Sequence, residues 1–317
     1  MTDTQNEVFK TPVNKIRLFE HGAPGSQNFK LTRKYYTEDM PDGRVKHIVQ
    51  NITDPDIVPY IPDGIGNSTD RQRIPAVLII PGGAFRRLVY NFEGEDVAKW
   101  LNSMGIAAFV LECRLPSDEH DNAEDVPLID AMRAMRVIRG RAQEFGIDEA
   151  KIGVMGFSAG GFMAALLSTA YESDVYADYK YKDEYDKLSA RPDFAVCSYP
   201  VISIDDCIEA GKRYMSEEQV LERISDSKAK ILHKYNPDKL VRPDMPPVFI
   251  CETDDDRTTL SENSVGSYMA ARKAGVSAEL HIFRTGGHGY GCGDDFAQTG
   301  EWKVLFTKWI KSIGIIS

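Results

Sequence analysis

At 317 residues the chain is long enough for one large α/β domain or two ordinary ones, and 42% hydrophobic with 27% charged residues is an ordinary soluble composition. A net charge of -10 argues against nucleic acid or an anionic membrane as the main partner. No apolar run approaches the ~18 residues that a membrane span requires.

The N-terminal MTDTQNEVFKTPVNK lacks the apolar core of a signal peptide, so a cytoplasmic protein is expected. Residues 1–75 read as a lead-in, with FKLTRKYY (29–36) and RVKHIVQN (44–51) as two antiparallel strands. From residue 75 onward short apolar runs alternate with helical patterns. PAVLII (75–80) is a strand stopped by Pro81-Gly82-Gly83. EGEDVAKWLNSM (93–104) puts Val97, Trp100, Leu101 and Met104 on one helical face and stops at Gly105. GIAAFVLE (105–112) is the next strand, and DVPLIDAMRAMRVIRGRAQEF (125–145) the next helix, with Leu128, Met132 and Met135 on one stripe.

KIGVM (151–155) runs through GFSAGG into the helical FMAALLSTAY. A tyrosine-rich polar stretch follows (171–192), then the strand FAVCSY (194–199) and a mostly polar, partly helical insertion (203–245). Both polar segments are placed where they could wall a pocket. PVFICE (247–252), the helix SENSVGSYMAARKA (261–274), the strand AELHIF (278–283) and the helix EWKVLFTKWIKSI (301–313) complete the chain. Strands this continuously apolar are buried on both faces, as in a parallel sheet covered by helices. Strand–helix–strand alternation means right-handed crossovers and a doubly wound sheet, so residues 1–317 read as a single domain. The five cysteines are odd in number and show no CxxC, which reads as buried free thiols in a reducing compartment.

GVMGFSAGG carries the chemistry. To lift a serine hydroxyl clear of the sheet, the turn from strand to helix must be very tight. Side chains two residues before and after Ser158 would collide with each other or with the adjacent strand, and Gly156 and Gly160 remove them. Ser158 then sits at a helix N-terminus, whose free N–H groups favour nearby negative charge. A serine hydroxyl needs a base. Of six histidines, His288 stands in RTGGHGYG just past the last core strand, on a glycine loop that can swing an imidazole over the sheet edge. The imidazole needs a carboxylate, and Asp254, Asp255 and Asp256 directly follow a buried strand. At most one can point to His288; Asp256 is favoured, with Asp255 second. The order Ser158, Asp256, His288 is that of an α/β-hydrolase. The N–H groups of Gly83, Ala84 and Ala159 are the expected oxyanion donors, since small residues permit close approach, although Pro-Gly-Gly by itself is also a common turn. No cofactor or metal is expected.

Taken in order, LIIPGGAF, EGEDVAKWLNSMGIAAFVLECRLP, KIGVMGFSAGG, YNPDKLVRPDMPPVFICETDDD and ARKAGVSAELHIFRTGGHGYG resemble the α/β-hydrolase fold. More narrowly, they resemble the bacterial acetyl esterase/lipase group related to the hormone-sensitive-lipase-like carboxylesterases. The resemblance implies a mostly parallel, eight-stranded, doubly wound sheet with helices on both faces and a small cap, here 203–245. It implies a serine carboxylic-ester hydrolase acting on small acyl esters, acetyl esters and acetylated sugars among them, as monomer or homodimer. The chain departs from the pattern at Ala84 (usually glycine), Cys113 (usually tyrosine), Phe162 (often histidine) and in RTTLS after Asp256. The charged insertion is unlike a lipase lid. Two other readings compete: a prolyl-oligopeptidase-type peptidase, for which the lead-in is too short to be a propeller, and a non-catalytic module, which would be expected to lack a triad member.

Overall fold

The structure, a computed structural model, describes residue 9 and residues 12–65, 73–213, 215–216, 218–220, 226–293 and 297–317. Parts of the lead-in and of the 203–245 insertion, and the Cys207 thiol, therefore lie outside the described residues. In chain order the elements are β1 (Ile16–Arg17), β2 (Lys34–Asp39), β3 (Val45–Gln50), β4 (Asp56–Tyr60), β5 (Ile74–Ile80) and β6 (Leu88–Val89). A π-helical turn (Asn91–Glu95) leads into α1 (Asp96–Ser103), followed by β7 (Ala107–Glu112), α2 (Val126–Gly140), α3 (Ala142–Phe145), β8 (Ile147–Phe157), α4 (Ala159–Ala170) and β9 (Ala195–Ser198). Then come α5 (Ile204–Lys212), α6 (Asp226–Lys234), β10 (Val248–Thr253), α7 (Ser261–Lys273), β11 (Ala278–Phe283) and α8 (Ala297–Ser312).

Eight strands form one sheet in the order β1-β4-β7-β5-β8-β9-β10-β11. The β1–β4 and β4–β7 pairs are antiparallel and the remaining pairs parallel, so the expected mostly parallel doubly wound sheet is present. β5, β7 and β10 are apolar throughout or nearly so because helices cover both faces; every residue of β7 and β10 is buried. Trp100 of α1 packs edge-on against Trp302 and Phe306 of α8 on one face, while α2 and α4 pack together on the other. The chain runs from β5 to β7 on one side, then returns to place β8 on the other side of β5. Connections after β5 and β8 diverge to opposite faces, which opens a crevice at the carboxyl ends of these two strands.

The two lead-in strands pair antiparallel as expected, but β2 starts only at Lys34, and with β6 on the other side of β3 they form a separate three-stranded sheet. β4 was not evident, since Asp56 and Pro59 interrupt its apolar pattern; Pro59 lacks a ladder donor. β11 is an edge strand and is only half-buried, unlike the other core strands.

Charges inside the fold fasten the lead-in and α2. The wholly buried Glu112 at the end of β7 accepts from Lys15 Nζ (2.6 Å), Arg33 (2.6 Å) and Tyr35 Oη (2.8 Å). Arg114, also wholly buried, forks onto Asp130 of α2 with contacts of 2.7–3.1 Å and reaches Ser26 Oγ at 2.8 Å. A buried pair of this kind is costly to break from one side. The tyrosine-rich 171–192 stretch serves the same end, and its residues 179–183 line a polar hollow with Phe19, His21 and Arg133 instead of the crevice beside Ser158. Tyr176 bonds Arg136 and Asp186, Tyr179 donates to the Gly22 carbonyl, and Tyr171 donates to Asp244. Arg133 of α2 pairs with Asp183 and Asp186. These contacts bind the stretch to α2 and to residues 19–22, away from the carboxyl ends of β5 and β8.

The loop after β7 holds an ill-satisfied acid. Asp118 Oδ2 and His120 Nε2 are buried with no hydrogen-bond partner among the described residues and stand 3.9 Å apart. Burial pushes Asp118 up to about 6, and burial followed by the Arg114 charge pushes His120 down to about 4. An acid whose folded value is raised destabilises the fold above that value and not below its unfolded value. Asp118→Asn is therefore expected to stabilise the protein by about 1–3 kcal/mol at pH 7–8, with the gain over wild type gone by about pH 4. Urea melts of both proteins across that range measure it.

Candidate active site

The carboxyl ends of the parallel strands share one rim: Ile80 pairs with Gly156, Phe157 with Ser198, and Thr253 with Phe283. Ser158 follows β8 at that rim with φ 53 and ψ -117, a conformation that a side chain adopts only under constraint. The constraint is visible in its glycines. A Cβ on Gly156 would lie 2.0 Å from the Gly160 carbonyl oxygen, and one on Gly160 would lie 1.9 Å from that of Ile80 in β5. The two glycines thus clear each other and the neighbouring strand. Ser158 N–H donates to the Ser198 carbonyl (2.9 Å), which ties the turn to β9.

His288 Nε2 lies 2.8 Å from Ser158 Oγ, and its Nδ1 lies 2.6 Å from Asp256 Oδ2. The three side chains form one hydrogen-bonded line. Asp256 is 2% exposed and fully engaged. Its Oδ1 accepts from the N–H groups of Thr258 (2.6 Å) and Thr259 (3.0 Å), and its Oδ2 from Thr259 Oγ1 (2.9 Å). Burial alone would raise this carboxyl. The His288 contact and the two N–H donors outweigh burial and hold it below the ordinary value, so it is ionised at neutral pH.

The other two acids have separate partners. Asp255 Oδ1 accepts the Gly287 N–H at 2.8 Å, which steadies the histidine loop, and Asp254 Oδ1 accepts from Ser261 Oγ at 3.2 Å. Glu252, wholly buried one strand residue earlier in the pattern, is pushed well above the carboxylate range by burial and by the Asp256 charge.

Opposite Ser158, the loop after β5 turns through three consecutive positive φ angles: Gly83 (139), Ala84 (57) and Phe85 (61). Its carbonyls are used, since Gly83 O accepts from Arg86 and Arg87 and Gly82 O from Val89. The N–H groups of Gly83 and Ala84 have no acceptor among the described residues. Ala159 heads α4, so its N–H has no acceptor within the helix. Phe85 packs edge-on against Phe162 of α4 at 5.5 Å, so the residue at the often-histidine position makes a packing contact with the donor loop. Beside this loop lies a small, shallow hollow lined by Phe85, Leu88, Cys113, Leu115 and Met163, with Pro127 at the head of α2.

Sequence reasoning did not anticipate Glu93, Tyr199 or Thr259. Glu93 is 5% exposed in the π-helical turn, with Oε2 accepting from Gly82 N–H (2.8 Å) and Oε1 from Tyr199 Oη (3.0 Å). Burial raises its carboxyl, with the His288 charge as the first opposing influence. Only the odd placement of an acid at the start of an otherwise apolar helical face could have drawn notice to it. Trp302 of α8 reaches the same region from below, donating Nε1–H to the Gly291 carbonyl at 3.1 Å and packing against Phe157.

The insertion meets the rim at two places. Tyr235 and Lys234 bond Asp125 beside the head of α2 (2.5 and 2.8 Å), and Arg213 pairs with Glu262 at the head of α7 (2.8 Å). Among the described residues no group of three or more His, Cys, Asp or Glu is arranged to hold a metal ion. No helix among them is long and apolar enough to cross a membrane.

The BD-FAE family model matches residues 65–268. The chain is 31% identical over 240 residues to an acetylxylan esterase of Xylanibacter ruminicola, covering 75% of this chain and 45% of that protein. It is 29% identical over 269 residues to endo-1,4-beta-xylanase B of Butyrivibrio fibrisolvens, covering 82% of this chain and 40% of that protein. The chain thus spans less than half the length of these curated relatives. Among solved structures, an acetyl ester-xyloside bifunctional hydrolase from Caldicellulosiruptor lactoaceticus superposes with a TM-score of 0.71 at 34% identity, covering 96% of this chain and 97% of that one.

An elbow glycine and a histidine-loop glycine yield a paired prediction. Gly160→Ala is expected to destabilise the fold by about 3 kcal/mol or more, because backbone blocks the added methyl. Gly287→Ala meets no atom within 4 Å and bears only the strain of φ +63, so about 1–2 kcal/mol is expected. Thermal and urea melts of the two variants check the ranking.

Proposed function

Since the chain belongs to the BD-FAE family of α/β-hydrolases, we propose that it is a serine carboxylic-ester hydrolase whose substrates are acetyl and other short acyl esters, acetylated xylo-oligosaccharides included. The observation that carries this reading is the unbroken line Ser158–His288–Asp256 facing unused N–H groups across a narrow crevice. The acetylxylan esterase and acetyl ester hydrolase relatives support the acyl group and the sugar. So does the small apolar hollow beside the donor loop.

In this mechanism His288 Nε2 removes the hydroxyl proton as Ser158 Oγ attacks the ester carbonyl. The carbonyl oxygen becomes an oxyanion and is met by the N–H groups of Gly83, Ala84 and Ala159. Asp256 accepts from Nδ1–H, so that Nε2 is the basic nitrogen, and stabilises the imidazolium. His288 then protonates the departing alcohol, leaving an acyl-serine. Water, deprotonated by His288, attacks that ester, and collapse returns the proton to Ser158 and releases the acid. Each step moves a proton only between Ser158, His288 and substrate or water, so the residues named suffice.

The 203–245 segment serves as a cap over the alcohol side, since it is tied to the heads of both α2 and α7. A cytoplasmic setting fits the four described cysteines, all buried.

Ser158→Ala is expected to lower turnover of p-nitrophenyl acetate by at least ~10³-fold; activity near wild type would refute the reading. Asp256→Asn cannot accept Nδ1–H in the same way and is expected to lose at least ~10²-fold. Asp255→Asn keeps an oxygen for Gly287 N–H and is expected to stay within ~5-fold. Equal losses in both would remove Asp256 from its role. A panel of acetyl, butyryl and octanoyl esters, acetylated xylo-oligosaccharides and a proline anilide sets the substrate class; cleavage of the anilide alone would favour a peptidase.

A further inference from the structure

Glu93 makes no contact with Ser158 in the hydrogen-bonded line, yet it reaches both loops that complete the site. One oxygen holds the Gly82 N–H at 2.8 Å, the residue directly before the donor loop. The other holds Tyr199 Oη at 3.0 Å, and that hydroxyl in turn accepts the Gly291 N–H at 3.1 Å from the loop that carries His288. The Tyr199 ring stands edge-on to the His288 imidazole at 5.0 Å and to Tyr290 at 4.5 Å. A single carboxyl therefore bridges the donor loop and the histidine loop.

Two further features show that this bridge is not incidental. The donor loop is not self-supporting: Gly83, Ala84 and Phe85 all hold positive φ, and non-glycine residues leave that region unless something fixes them. Glu93 sits in a π-helical turn, where Glu95 N–H reaches back to the Tyr90 carbonyl at 2.8 Å. Such turns place a side chain where a regular helix would not. Space is equally tight, since a Cβ on Gly82 would lie 2.7 Å from Glu93 Oε2 and 3.0 Å from Ser158 Cβ. A buried carboxyl costs more than an apolar filler of the same size, so packing alone does not account for it.

We propose that Glu93 is a positioning residue that, through Gly82 and through Tyr199 and Gly291, sets the distance and orientation between the oxyanion donors and His288. It rests on the ester-hydrolase reading and adds a residue to it. Its effect falls on the transition state, where the oxyanion forms, and not on ground-state binding of the ester.

The test is steady-state hydrolysis of p-nitrophenyl acetate by Glu93→Ala, Glu93→Gln and Tyr199→Phe, with melting temperature and affinity for a boronic acid that mimics the tetrahedral state. Loss of one aligned donor costs ~10²–10³-fold in related chemistry, so Glu93→Ala is expected to lower kcat by at least ~30-fold with KM within ~3-fold, and to weaken the boronic acid in step. Glu93→Gln offers an oxygen to Gly82 and an N–H that the Tyr199 oxygen can accept, at the loss of the acceptor for the phenol hydrogen, and should lower kcat by less than ~10-fold. Tyr199→Phe keeps the ring and the Glu93–Gly82 contact but removes both the donor to Glu93 Oε1 and the acceptor of Gly291 N–H, and should lower kcat ~3–10-fold with a modest fall in melting temperature. It carries the test if the alanine variant does not fold. Unchanged kcat in Tyr199→Phe and Glu93→Ala, a change confined to KM, or a glutamine variant as poor as the alanine one would overturn the proposal. Wild type active and Ser158→Ala inactive, with Glu93 variants unaffected, would sink this inference and leave the esterase reading intact.

Discussion

Everything at the rim depends on how closely three backbones approach where β8 turns into α4. The carbonyl of Ile80, the turn at Gly156 and the first residues of α4 are packed so tightly that no side-chain atom fits between them. That contact forces Ser158 into its strained φ and ψ and directs its hydroxyl out of the sheet. It also sets the donor loop after β5 within reach of the same point, because β5 and β8 are neighbours in the sheet. Strain in one residue and proximity of two loops are two results of one packing constraint. The surrounding sheet, buried almost throughout, is what makes the strain sustainable.

Around this point the acids divide their labour. Asp256 is ionised and faces the imidazole; Asp255 secures the loop backbone; Asp254 takes the hydroxyl at the head of α7. Glu252 and Glu93 are buried carboxyls raised by desolvation. Environment, and not residue type, separates these roles: the imidazole contact and N–H donors lower one carboxyl, while burial beside an existing negative charge raises another.

Much of this was legible in the chain. The elbow is a local motif with a steric cause, so GFSAGG alone located Ser158, and the glycine loop after the last strand located His288. Apolar runs of the right length located β5, β7, β8, β9 and β10. What escaped depends on contacts distant in sequence. β4 pairs antiparallel with β7 and carries Asp56 and Pro59, so neither pattern nor composition marks it. The tyrosines of 171–192 looked like a pocket wall, but their partners, Arg136 and the Gly22 carbonyl, are visible only once the chain is folded. Choosing among Asp254, Asp255 and Asp256 required the geometry of the turn itself. Glu93 and Tyr199 meet across 106 positions, and no local signal joins them.

The protein has three tryptophans, and all three stand together on the α1 and α8 face, with Trp309 beside Phe306 and Phe249. Trp302 alone also touches the backbone next to His288 and the phenylalanine before Ser158. Intrinsic fluorescence is therefore a built-in gauge of one side of the molecule. It registers the seating of the C-terminal helix and, through a single indole, the loop that bears the imidazole.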